Sequence, residues 1–331
     1  MRFWFVAYPD IPRPIGGIKQ IHRLAEAFQS LGFSSYIIQD DAQFHPGWFQ
    51  STVSTVSLSN FKSIQSDLTK LDFLVIPETY VPGIGTFFPG VRKIIFNQNS
   101  SYTFGLNPAP LELNPKRIKE LYSHPEVAHV LCVSEYDFSF LETCLGLGSD
   151  SLTLVSNSID FEDVQIFRKK SPRACYMPRK NYNHATVVVD LLKGMQLSLP
   201  WEFTPLSQLS HSDVLRHMSI SSAFLSFGHP EGFGLPVAEA LASGCFVIGY
   251  TGLAGREFLE LEHCSSVFTA VEFGDLASFV QSFLDFDKYF SSNISSVLGT
   301  LASSSAIVRN KYTFANMVSS ISHLPSQLSS S

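Results

Sequence analysis

Short uninterrupted apolar runs alternate with stretches of helical periodicity along most of this chain, and that alternation leaves few architectures open. "RFWFVAY" (2–8) reads as a strand. "GGIKQIHRLAEAFQSLG" (16–32) reads as a helix with Ile18, Ile21, Leu24, Ala25 and Phe28 on its apolar face and Gly32 as its stop. "SSYIIQ", "DFLVIPE", "KIIFNQ", "HVLCVS" and "LTLVS" read as further strands, with a helix in "EYDFSFLETCLGLG" between the last two. Strands that lack polar alternation are buried on both faces, so a parallel sheet covered by helices is expected.

The pattern restarts after the polar stretch "NSIDFEDVQIFRKKSPR" (157–173). Strands are expected in "ACYM", "WEFTPL", "AFLSF" and "CFVIGY", and helices near 183–193, 211–218 and 236–243. At 331 residues the chain is long for a single core. The fold class expected is therefore α/β: two Rossmann-like doubly wound domains, 1–160 and 161–310, facing a central cleft at the carboxyl ends of their sheets. A helix over 311–323 is expected to pack back on the first domain. The serine-rich residues 324–331 read as a disordered tail.

A net charge of -6 argues against a nucleic-acid partner, which usually meets a strong basic excess. One local run departs from this balance: Arg168, Lys169, Lys170, Arg173, Arg179 and Lys180. It suits a phosphate or an acidic membrane surface, or a solvated linker. The five cysteines are scattered without a C-x-x-C pair, so neither a disulfide framework nor a zinc site is expected. No apolar segment approaches a membrane span, and the first apolar run is too short for a signal peptide. A cytoplasmic protein is the expectation, and aromatic "FHPGWF" (44–49) and "TFFPG" (86–90) suit either loop packing, an acceptor groove or a peripheral membrane contact.

The segment "SFGHPEGFGLPVAEALASG" (226–244) carries the chemistry. Strand "AFLSF" delivers the chain to the loop "GHPEGFG", where Gly232 and Gly234 permit a tight turn and a close ligand approach. Pro236 suits the start of a helix that Gly244 closes. Glu239 then falls in the first turn, near the positive end of the helix dipole. The helix is otherwise Val237, Ala238, Ala240, Leu241 and Ala242, so a carboxylate there needs a partner. A vicinal diol such as a ribose provides one; a salt bridge to an arginine or a cap on backbone N–H groups would too. The helix start offers N–H groups to a phosphate, and Glu231, in the loop, can accept from sugar hydroxyls.

Glu231 and Glu239, separated by seven residues within "EGFGLPVAEALASGCFVIGY", resemble the E-x7-E signature of retaining glycosyltransferases of the GT-B fold, most closely the group 1 or family 4 type. "GREF" (255–258) is similar to that family's next glycine turn and acid. The resemblance implies a nucleotide-sugar donor held by Gly16, Gly17, His229, Gly232, Phe233, Gly234, Leu235 and Glu239. It places Glu231, Arg179 and Lys180 in the catalytic centre and Asn99 on the acceptor side. His229 also suits a turn cap, and Lys19 and His22 read as surface positions. The chain departs from the family pattern in four places: Ser158 and Pro178 stand where glycines are usual, Asn183 and His184 lie near the place of a usual Lys, and Asn99 stands where many relatives have His.

What the resemblance implies chemically is transfer to a glycan or lipid-linked acceptor with retention, no cofactor and no metal, the leaving diphosphate being met by cations and backbone N–H groups. The D-x-D at Asp285–Asp287 lies in a helical stretch and reads as a solvated face. Two alternatives stand beside this reading: a catalytically silent GT-B subunit that binds a partner or glycan, and a sugar-nucleotide epimerase or phosphorylase on the same fold.

Overall fold

The computed structural model describes residues 1–103, 114–161 and 170–330. The chain divides into two compact units, residues 1–158 together with 312–331, and residues 159–311.

In the first unit the strands are β1 (Arg2–Val6), β2 (Ser34–Gln39), β3 (Ser54–Ser57), β4 (Asp72–Pro77), β5 (Arg92–Asn97), β6 (Val127–Cys132) and β7 (Leu152–Leu154). They form one parallel sheet in the order β3-β2-β1-β4-β5-β6-β7. Helices α1 (Gly16–Ser30), α2 (Leu58–Ser63), α3 (Pro115–Tyr122) and α4 (Glu135–Leu145) connect them. β1 shows why its run has no polar alternation. Phe3 packs tilted against Phe28 of α1 and stacks on Phe73 of β4, at 4.1 and 5.5 Å between ring centroids, while Trp4 on the opposite face meets Phe61 of α2 at 5.1 Å. Both faces are apolar because both are covered. Arg2 grips Asp72 with two hydrogen bonds of 2.6 and 2.9 Å, fastening the start of β1 to that of β4.

The second unit holds β8 (Ser171–Tyr176), α5 (Tyr182–Lys193), β9 (Glu202–Pro205), α6 (His211–Ile220), β10 (Ser221–Ser226), α7 (Leu235–Ala242), β11 (Phe246–Gly249), β12 (Phe268–Ala270) and the long α8 (Leu276–Lys311), which is interrupted by non-helical torsions at Asn293. Its sheet is parallel in the order β12-β11-β10-β8-β9. The strand order reverses between β8 and β10, so this sheet has its topological switch point there.

α9 (Phe314–Ile321) belongs to the first unit and packs on α1. The expected disordered tail is a correction: α10 (Leu324–Ser330) is helical, with Leu324 and Leu328 buried and the Leu328 carbonyl accepting from Arg92 at 3.2 Å. Two leucines spaced i, i+4 supply the apolar anchor that a serine count conceals. Strands β3 and β12 went unread because they are short edge strands with weak apolar content.

Candidate active site

Several of the candidate side chains of the second unit converge where the switch-point rule puts ligand sites, at the carboxyl ends of β8, β10 and β11. A depression there is lined by Met177, Arg179 and Lys180 after β8, by Gly228 and Glu231 after β10, and by Gly234, Pro236 and Thr251. Glu231 is fixed by its backbone as well as its side chain. Its N–H donates to the Gly252 carbonyl at 2.7 Å, a bridge between two loops that leave adjacent strands. Its side chain lies between two glycines. A Cβ at Gly228 would come within 2.9 Å of Glu231 Oε1, and one at Gly252, where φ is +68°, within 2.8 Å of Glu231 Cβ. Gly252 is therefore demanded both by close approach, to Glu231 Cβ and to the Gly228 carbonyl, and by its left-handed backbone, while a side chain at Gly228 would push the Glu231 carboxylate aside.

Lys180 donates from Nζ to the Pro230 carbonyl at 2.5 Å and pairs with Glu231 Oε2 at 3.0 Å. Asn181, in the left-handed region at φ +55°, donates from Nδ2 to the carbonyls of Phe227 and His229 at 2.8 and 3.1 Å. One turn after β8 thus holds the whole 227–231 loop. Arg179 is exposed at the rim. The His229 ring stacks on Phe273 with centroids 4.2 Å apart, and burial followed by the Lys180 charge holds its pKa below the usual range, partly opposed by Glu231.

α7 starts at Leu235 behind Gly234, whose φ of +91° makes the sharp entry. Glu239 is the fifth residue of that helix, not a first-turn residue, so the dipole argument made for it does not apply. It does not line the depression. Its Oε1 accepts from His211 Nε2, the first residue of α6, at 2.8 Å. Phe233, expected on the donor, has its ring buried against Phe258 at 5.2 Å. Gly232 is buried in the same loop and Leu235 is half-buried.

Gly16, Gly17 and Asn99 belong to the first unit. Gly16 and Gly17 open α1, and a Cβ at Gly17 would fall 2.8 Å from Oε1 at the tip of the Gln98 side chain. Asn99 is buried and caps a 3₁₀ turn, accepting from the Ser101 N–H at 3.0 Å. Lys19 and His22, expected at the surface, are buried. His22 bonds Ser51 at 3.0 Å and packs edge-on to Phe49, and burial lowers its pKa to about 4. "FHPGWF" accordingly packs through Phe49 onto α1.

The basic run divides by partner. Arg173 pairs with Glu202, and Lys170 donates to the carbonyls of Met218, Ser221 and Ser243, capping the ends of α6 and α7. Arg168 and Lys169 lie outside the described residues. The D-x-D reading also needs correction. Asp285 is exposed and bonds Gln281, whereas Asp287 is buried and accepts from the N–H groups of Ser198 and Leu199 and from Trp201 Nε1, at 2.6, 3.2 and 2.7 Å. One acid is solvated; the other ties down a loop. Among the described residues no helix is long and apolar enough to cross a membrane.

Two doubly wound parallel α/β units, the second with its acid-bearing loop at the switch point, constitute the GT-B fold, and solved structures share it over nearly the whole chain. A glycosyltransferase from Rickettsia africae superposes with a TM-score of 0.68 at 13% identity, covering 99% of this chain and 98% of its own. Sucrose-phosphate synthase from Thermosynechococcus elongatus reaches 0.72 at 12%, covering 99% of each. Anabaena HepE, solved with UDP-glucose, reaches 0.66 at 11%, covering 98% and 99%. In sequence, an alpha-1,6-glucosyltransferase of Actinobacillus pleuropneumoniae is 42% identical over 50 residues, which is 15% of this chain and 15% of that protein. No family model matches.

Proposed function

We propose that this chain is a retaining glycosyltransferase that moves a sugar from a nucleotide-sugar donor to a glycan or lipid-linked acceptor without a metal. The observation that carries the reading is the Lys180–Glu231 pair, held at 3.0 Å between two close-packed glycines at the β8/β10 switch point of a GT-B unit. A cation beside an acid that can accept from sugar hydroxyls suits a site where a diphosphate leaves an anomeric carbon.

In this reading the bond from the anomeric carbon to the phosphate oxygen breaks while the acceptor oxygen bonds to the same carbon from the same face. The acceptor's proton passes to the departing phosphate oxygen. Arg179 and Lys180 meet the charge that develops on the diphosphate, and preorganised cations of this kind need no reorganisation at the moment of reaction. Glu231 orients the donor sugar. Lys180 is neutralised by Glu231 until a diphosphate competes for it. The scattered cysteines favour a reducing compartment, and we place the reaction in the cytoplasm.

HepE's ligand makes UDP-glucose the first donor to try. Release of UDP in the presence of acceptor, with NMR of the product showing the donor's anomeric configuration and activity persisting in chelator, is the expected result. Lys180→Ala should lower kcat on the order of 10²-fold, as loss of a transition-state charge partner does. An inverted product removes the mechanism. A panel of UDP-, GDP-, ADP-, CMP- and dTDP-sugars with no binding removes the enzyme reading in favour of a silent subunit.

A further inference from the structure

We propose that His211 is a positioning residue for the nucleotide ribose, acting through Glu239; this rests on the donor reading above. Glu239 sits on an eight-residue helix whose other members Val237, Ala238, Ala240, Leu241 and Ala242 are buried, so its stem has little freedom. What remains free is the last torsion, which decides where the two oxygens point. His211 removes that freedom: its Nε2 lies 2.8 Å from Oε1. A carboxylate only accepts, so Nε2 carries the hydrogen, whichever charge the ring has.

His211 is the first residue of α6, whose start is fixed by its N-cap: Ser210 accepts from the Asp213 N–H at 3.1 Å and bonds the Asp213 carboxylate at 2.7 Å. The pair therefore ties the acid of α7 to the start of α6. With Oε1 committed to His211, Oε2 is the oxygen offered to a diol. A ribose presents two adjacent hydroxyls; a 2′-deoxyribose presents one. The ligand class the pair would select is accordingly a ribonucleoside diphosphate over its 2′-deoxy counterpart.

The test is calorimetric binding of UDP, GDP and ADP, and of their 2′-deoxy forms, to the full chain and to H211L, H211N, H211Q and E239Q. For the base that binds, the wild type should prefer the ribose form by about tenfold, the weight of one hydrogen bond to a charged group. H211L and H211N, the second polar but too short to reach Oε1, should lose that preference while 2′-deoxy binding changes little. H211Q, whose amide reaches as far as Nε2, should restore it. A preference that survives in both H211L and H211N overturns the proposal and leaves His211 a staple between α6 and α7, with the donor reading intact. A wild type that binds nucleotides without preference also overturns it. A wild type that binds none removes both. Should H211L fail to fold, H211N and H211Q still decide the question.

Discussion

Glu78 follows β4 at the switch point of the first sheet, only 4% exposed, with Oε2 accepting from the Gln98 N–H at 3.0 Å. Burial raises its carboxyl from 4.5 to about 7, against the pull of backbone N–H groups and with help from Asp137. Replacing it by Gln keeps the shape and an accepting oxygen but removes the ionisation. A carboxyl whose folded pKa is raised contributes stability that is complete below its unfolded value and is lost as pH climbs through the folded one. The gap is about two and a half pH units, each worth about 1.36 kcal/mol, so Glu78→Gln should gain up to about 3 kcal/mol relative to wild type between pH 4.5 and 8. The difference must be measured, because buried His22 and His129, both lowered to about 4, drive the wild-type curve the other way over part of that range. Urea denaturation of both proteins at pH 5, 6, 7 and 8 reads it. A difference that stays flat across the series would mean Glu78 ionises as freely in the fold as out of it, and the burial argument would be wrong.

Asp287→Ala strands three donors and should cost about 3–5 kcal/mol of unfolding free energy, as removal of a buried charged partner does, whereas exposed Asp285→Ala should change stability by less than about 0.5 kcal/mol. Equal losses of activity from both variants at unchanged stability would give the two acids a shared role in the reaction and overturn this division. Gly252→Ala puts a methyl 2.8 Å from Glu231 Cβ at a φ of +68°, so transfer activity should fall along with about 1–3 kcal/mol of stability. A fully active, fully stable variant counts against the glycine cradle. Glu231→Gln should bind UDP more tightly, by about fivefold, while turnover collapses, since Lys180 no longer faces a competing carboxylate. Weaker UDP binding in that variant would show that Glu231 does not compete with the diphosphate.

Continuous apolar strands were legible because burial on both faces leaves no polar alternation to misread, and β1, β4, β5, β10 and β11 all lie where their runs do. What was illegible depends on tertiary partners. Nothing in "FLDFD" says that Asp287 will cap a loop ninety residues earlier in the chain, and nothing in "SHSDVL" says that His211 will face Glu239. The same holds for Lys170 and Arg173, which looked like members of one basic run and are consumed by carbonyls and by Glu202.

The glycines divide along a similar line. Gly234 was readable as a tight entry to a helix because a proline and an apolar helix follow it, which is a local signal. Gly252 was not, since its reason is Glu231, twenty-one positions away and on another loop. A motif compresses only those contacts that lie near one another in the chain. In this site the acid is local, but the residues that aim it come from the ends of β8 and β11. Substitutions at Asn181 and Gly252 should therefore reveal the site's tolerance better than further changes within residues 229–239.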